Sequence, residues 1–472
     1  MLSTQVCVIG SGPAGITAAW QLQKAGIKVI LIEGSREHSC LEDSWPDKVL
    51  LYDGKAEGLF TGNEPEFLIL PHLAHGDPAS ERERIYGGTS THWGGQSRPE
   101  DPLDLEKRPG FPGWPISRED LDPFYAQAVA LCNLHGDYNL RGDNFSAEYW
   151  AGILQAEVPA LDGFDVEMYQ YVGGCYRNFA TRTFDGITIG QSQVDVILNA
   201  SLLDIDHHQG TVSELRVASM DTSVPPKKAT EFTIKADAYV LACGAVANAR
   251  QLLLSNAGNE HDLAGRYFMC HPLSRSQVIT TTIPYLTDDQ SRLLGGQTSI
   301  GAWTDKNGVR VSGRFIPNAE QTRNLGIGRC WFWYQYGAYY FEMAPNPDSR
   351  VTLSDKVDPV FGQRQTKIHW QLSSLDEQTY EKTTALFKTA ANNLCGDVSS
   401  YSWPDVKGQL IVNGHHIGTT RMSRDPTQGV VNADLKVHSL DNLYVAGSSV
   451  FPSAGISNPT FTIITLSIRL AD

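Results

Sequence analysis

Four apolar residues, Val6 to Ile9, run directly into Gly10-Ser-Gly12-Pro-Ala-Gly15, and Pro13 to Ala25 beyond is rich in helix formers. A second apolar run, Lys28 to Ile32, ends on Glu33. A G-x-G-x-x-G set between a strand and a helix confines the start of the chain to a Rossmann-like βαβ unit that cradles a dinucleotide. Gly10 permits the tight turn, Gly12 lets backbone approach a pyrophosphate, and Gly15 lets helix and strand pack closely. The helix N-terminus then faces the phosphate charge. Glu33 lies 33 − 15 = 18 residues past the last glycine, where a carboxylate accepts from ribose hydroxyls and repels a 2′-phosphate. The spacing leaves FAD and NAD both open.

The chain has 472 residues, 41% of them hydrophobic, which is ample for two domains. A net charge of −15 argues against a nucleic-acid surface and suits a protein that handles neutral small molecules. The eight cysteines contain no C-x-x-C pair, so zinc, iron–sulfur, haem-attachment and redox-dithiol motifs are all missing. They are expected to be reduced thiols, mostly buried. No window approaches the roughly 20 apolar residues of a membrane span, and a cytoplasmic location is the default expectation. Asn144-Phe-Ser and Asn199-Ala-Ser match the glycosylation pattern, as chance alone would allow.

Residues 36–84 carry Pro, Gly and charge with little periodicity, suggesting long surface excursions. Gly87 to Gly95 is a glycine-framed loop. Residues 106–192 read as an irregular, aromatic-rich insertion with a helix over Arg118–Asn133. Val194 to Asp206 and Glu231 to Cys243 alternate like strands, and Ala245 to Ser255 reads as a helix. The region from roughly 276 to 410 has several β-rich runs. Its run Arg329 to Met343 suits a sheet with one covered face, a buried wall or a sugar-stacking one. The last sixty residues return to loop, strand and a closing helix. This order predicts an α/β (α+β) fold with two interleaved domains. The cofactor domain comprises 1–105, 193–275 and 412–472; a β-sheet-rich substrate-binding domain comprises 106–192 and 276–411.

Several motifs recur in a fixed order along the chain: GSGPAG at the start, GGTSTHWGG at 87–95, VLACGAVANARQLLLSN at 240–256 and AGRYFMCHP at 264–272. PNPDSRVTLSDKVDP at 345–359, HHIGTTRM at 415–422 and SNPTFTI at 457–463 complete the set. Together they resemble the glucose–methanol–choline (GMC) FAD oxidoreductases, most closely the pyranose-oxidase-like branch, although the chain is shorter than typical members. The resemblance implies a GMC/p-hydroxybenzoate-hydroxylase-like architecture with FAD as cofactor. It places Gly88, Thr89, Ser90 and Thr460 at the flavin, backbone NH groups of Gly447 and Ser448 near the pyrophosphate, and the Leu202 backbone near the adenine. His92 sits where pyranose oxidases attach the flavin covalently.

Oxidising an alcohol requires removal of a hydroxyl proton and transfer of the carbinol hydride to flavin N5. A neutral histidine suits the first task. Neighbouring side chains of an extended segment face opposite ways, so His415 and His416 cannot share one pocket. The family places its base three residues before the glycine of GT, which selects His415. Asn458, followed by Pro459, falls where pyranose oxidases use an asparagine; by itself it reads as an Asx turn before proline, and HHIGTTRM beside it favours the catalytic role. An amide there can hold the substrate hydroxyl without competing for its proton. His271, His438, His72 and His75 read as structural, and no metal site is expected.

The reading is oxidation of a secondary hydroxyl of a sugar or glycoside, at C2 or C3, to a ketone. An aminosugar, cyclitol or natural-product alcohol oxidase, a flavin-retaining lyase and a non-catalytic flavin-bearing partner are the alternatives. The electron acceptor (oxygen, a quinone or a protein) and assembly into a homo-oligomer are left open by the sequence.

Overall fold

The computed structural model describes residues 1–34, 85–91, 93–136, 138, 143–173, 176–187, 189–220, 227–274, 279–280, 303–304, 310–333, 338–395, 399–400, 402–407, 410–411 and 414–472. His72, His75, His92, Cys40, Cys175 and the 36–84 segment lie outside the described residues.

The first βαβ unit consists of β1 (Leu2–Ile9), α1 (Pro13–Lys24) and β2 (Val29–Ile32). β2 reads Val-Ile-Leu-Ile and is buried throughout, as a central strand covered on both faces must be. β1 and β2 pair in parallel, with Val6 opposite Val29 and Ile9 opposite Ile32. The sheet continues with β3 (Asp195–Ile197), β4 (Ala200–His208), β5 (Thr211–Met220), β6 (Lys228–Leu241) and β7 (Leu443–Val445). Its order is β3-β2-β1-β6-β5-β4, with β7 parallel to β6. β6 is parallel to β1, while β4–β5–β6 is an antiparallel meander. β5 is a strand that the sequence reading passed over. α2 (Ala245–Leu254) and α3 (Pro459–Ala471) complete the layer, and the expected helix after Ser117 runs over Arg118–Leu131.

A second, eight-stranded sheet is built around Phe164–Tyr171, Arg310–Pro317, Cys330–Trp333 and Ala338–Phe341. Two short strands from the range expected of the cofactor domain, Gln96–Ser97 and Leu273–Ser274, pair in this second sheet. Alternation sorts its aromatics onto two faces. Phe332 and Tyr339 stand opposite each other, as do Trp331 and Tyr340. The first pair packs on Phe387 and Tyr380 of a helix over Ser374–Cys395. The second forms a separate cluster with Ile316 and Ile456. That 22-residue helix departs from the expectation of β-rich structure between 276 and 410. Most of its buried side is Thr and Ala: Thr379, Thr383, Thr384, Ala390 and Ala391, beside Asp376, Tyr380 and Phe387. The apolar period is thereby muted.

Cys7, Cys132, Cys270 and Cys330 are buried free thiols, as expected, and Asn144 is buried with its amide donated to the His135 carbonyl. Among the described residues no helix is long and apolar enough to cross a membrane, and no cluster of three or more metal-ligating side chains occurs.

Candidate active site

One cavity of about 300 Å³ runs from the βαβ turn to the last helix. Gly10, Gly12, Glu33, Gly88, Thr89, Ser90, Leu202, His415, Gly447, Ser448 and Thr460 all line it. Gly15 and Asn458 are not among its lining residues, although Asn458 precedes Pro459, which is one of them. Gly10 has φ +102°, and a methyl group on Gly15 would lie 1.9 Å from the Gly10 carbonyl oxygen, so the turn requires both glycines. A methyl group on Gly12 would meet nothing within 4 Å. Gly12 is also the N-cap of α1 and makes no side-chain cap, which leaves the first amides of the helix for an anion in the cavity. Those are the properties a pyrophosphate cradle needs, and the residues present fit FAD.

Glu33 is buried. Its carboxylate accepts from the Ser11 amide at 3.1 Å and from the Ser11 hydroxyl at 2.6 Å, while Ser11 Oγ accepts from the Gly87 amide. The acid therefore ties the first turn to the Gly88–Thr91 turn at the cavity wall. On the far side, Asn248 of α2 ties together two segments of chain. Its Oδ1 accepts from the Cys243 amide, and its Nδ2 donates to the Ala446 carbonyl and Ser449 Oγ. That buried amide fixes the Gly447–Ser448 loop, whose Ser448 hydroxyl donates to the His416 carbonyl. The nucleotide end is also lined by Arg250, Asp358, Phe361 and Gln363. The sequence reading did not single these out, although Arg250 and Asp358 stand inside quoted motifs.

The reacting end is assembled by backbone register. Met269 and Ile417 form an antiparallel bridge with reciprocal amide–carbonyl bonds. Gly418 has φ +89°, and any side chain there would strike the Tyr267 carbonyl, so the two segments touch only because residue 418 is glycine. Two residues outward along the bridge, His271 comes opposite His415, with their Nδ1 atoms 3.0 Å apart. His416 also lines the cavity, against the expectation that the two histidines could not share one pocket, and its ring lies 5.5 Å from that of Phe268. Tyr340 brings its hydroxyl to 2.6 Å from the same His415 Nδ1. Asn458 is the extended N-cap of α3 before Pro459, yet its side chain does not cap the helix. Its Nδ2 lies instead 3.2 Å from His415 Nε2.

Both rings are held neutral. Burial pushes His271 down to about 4. Burial first, then the neighbouring His271 and His416, keeps His415 well below its ordinary 6.5. His271, read as structural from the sequence, thus stands in the site, and its place in AGRYFMCHP was the available signal. His438 stays outside it, bonded to the Ser423 carbonyl.

A nucleotide cradle joined to a neutral histidine and an amide defines a flavin-dependent oxidoreductase. Residues 345–467 match the family model described as GMC oxidoreductase, and residues 4–271 match that of the pyridine nucleotide-disulphide oxidoreductases. The second match covers a cofactor-binding half; with no C-x-x-C pair in the sequence, the dithiol of disulphide reductases is missing. The chain is similar to 6‴-hydroxyparomomycin C oxidase of Streptomyces lividus, at 25% identity over 98% of this chain and 90% of that protein. It is similar to pyranose 2-oxidase of Tricholoma matsutake, at 23% identity over 84% of this chain and 73% of that one. The fold is shared with pyridoxine 4-oxidase from Mesorbium loti, with a TM-score of 0.60 and 16% identity over 99% and 98% of the two chains. The chain belongs to the GMC oxidoreductase family, and its cofactor is FAD.

Proposed function

We propose that the chain oxidises a secondary hydroxyl of a sugar or glycoside, at C2 or C3, to a ketone. The observation that carries the reading is the approach of Asn458 Nδ2 to His415 Nε2 at 3.2 Å beside the cavity. On this reading His415 Nε2 takes the hydroxyl proton, and the Asn458 amide orients the hydroxyl oxygen without offering a rival base. Bound FAD supplies the hydride acceptor. A neutral His415 becomes an imidazolium as the proton arrives, and that charge stabilises the alkoxide-like transition state in a dry site. Trp331 and Tyr340, stacked with ring centres 4.4 Å apart, are buried and do not line the cavity, so of the two expectations for this run they meet the buried wall and leave sugar stacking to other groups.

The cofactor-binding body is then 1–105, 193–275 and 412–472, less the short strands Gln96–Ser97 and Leu273–Ser274 that pair in the second sheet, and the substrate-binding body 106–192 and 276–411. The same reading gives His92 the covalent flavin link. A denaturing gel band that stays fluorescent, and loses its fluorescence in His92→Ala, is the expected result.

A second reading, oxidation of an aminosugar hydroxyl, is favoured by the likeness to the paromomycin oxidase. Anaerobic mixing of the holoenzyme with pyranoses, C- and O-glycosides and aminoglycosides separates the two. Bleaching of the flavin's visible band by pyranoses or glycosides supports the first, and bleaching by aminoglycosides alone supports the second. A flavin that no member of the panel bleaches overturns both.

A further inference from the structure

Resting on His415 as the base, the hydrogen-bond pattern around its ring carries a further step. His271 Nε2 lies 3.0 Å from the Gly455 carbonyl oxygen, which can only accept, so that nitrogen carries the proton. A neutral His271 must then present a bare Nδ1, and this atom faces His415 Nδ1 at 3.0 Å. Two lone pairs would repel at that distance, so His415 Nδ1 bears the hydrogen between them. The Tyr340 oxygen, at 2.6 Å from the same nitrogen, is a second acceptor for it. Had Tyr340 donated to a bare His415 Nδ1, the two imidazoles would face each other without a proton. The amide Nδ2 of Asn458 facing Nε2 completes a consistent set, because Nε2 is then left as an acceptor.

We propose that His271 is a positioning residue that fixes His415 as its Nδ1–H tautomer, keeping the Nε2 lone pair turned to the substrate, with Tyr340 closing on the same Nδ1. The hydroxyl proton moves to Nε2, and the Nδ1–H bond of the resulting imidazolium stays directed at the His271 lone pair. Orientation and tautomer are thus settled before substrate arrives, as an acceptor behind a catalytic histidine does elsewhere. The anchor of His271 is itself buried: the Gly455 amide donates to Glu342 at 3.1 Å, and Glu342 pairs with Arg108.

The test uses holoenzyme labelled with ¹⁵N-histidine, with ring signals assigned by their loss in His415→Ala and His271→Leu. The expected spectrum has His415 protonated on Nδ1 and His271 on Nε2. His271→Leu should shift His415 toward the Nε2–H form. It should also slow anaerobic flavin reduction per bound FAD by about 10- to 100-fold, as loss of a supporting shell typically does. His271→Asn, which can return an acceptor oxygen to His415, should recover part of that rate. A wild-type His415 carrying its proton on Nε2 overturns the proposal, as does a His271→Leu enzyme with an unchanged rate per bound FAD. If instead His415→Ala reduces its flavin at the wild-type rate, the base assignment falls while the tautomer measurement stands by itself.

Discussion

At the scale of single residues, the proposed chemistry depends on one nitrogen of His415 being unprotonated. Removing the imidazole in His415→Ala should lower the rate of anaerobic flavin reduction by about 10²- to 10⁴-fold with FAD retained, the usual contribution of a general base. The direction of the His415 shift also sets a pH profile. Burial and two neighbouring histidines disfavour the imidazolium, so the base stays neutral below the ordinary value of 6.5. Reduction rates should therefore remain level as pH falls through neutrality and past 6.5, then decline only in more acid solution. A stopped-flow rate that halves near 6.5 would contradict this. Gly15→Ala tests the cradle, because its methyl group would lie 1.9 Å from the Gly10 carbonyl oxygen. The variant should purify with little bound FAD, read from its visible absorbance per chain.

Elements differ in how much of them shows in the sequence, and the difference follows contact distance. The first βαβ unit is legible because its glycines, helix and terminal acid lie within the first 33 residues and each has a local geometric reason. The meeting of His271 with His415 is not local: 144 residues separate them, and only the Met269–Ile417 register places them opposite. The alternation of Trp331, Phe332, Tyr339 and Tyr340 was legible as strand. Which pair faces the base and which the helix was not, because a period of two says nothing about what covers each face. The helix over Ser374–Cys395 was hidden by threonines that do the work of apolar residues, as where Thr383 Oγ1 bonds the Tyr339 hydroxyl at 2.8 Å. Gly418→Ala examines the register itself. Backbone strain at φ +89° and the clash with the Tyr267 carbonyl should destabilise the protein by about 1–3 kcal/mol, seen in the denaturation midpoint.

Across the whole molecule, the second sheet is braced by charges withdrawn from water. Arg108 pairs with Glu342 and Arg329 with Glu167, all of them buried. Breaking such a pair leaves a buried charge uncompensated, so Glu342→Gln should lose on the order of 3–5 kcal/mol in chemical denaturation. Burial, then the nearby Asp101 and Glu342 against the pull of Arg329, raises Asp104 to about 7. A carboxyl raised in the fold binds its proton more tightly there than in the unfolded chain. Its stabilising contribution is complete below 3.8 and disappears as pH rises through about 7. The difference in melting temperature between Asp104→Asn and wild type should therefore grow in favour of the variant across that window. The Gly455 peptide is where this ionic layer reaches the chemistry, its carbonyl on His271 and its amide on Glu342. A chimera that swaps in a sister enzyme's second-sheet strands should thus disturb the protonation of His415, on the proposed reading, unless Arg108 and Glu342 travelled together with them.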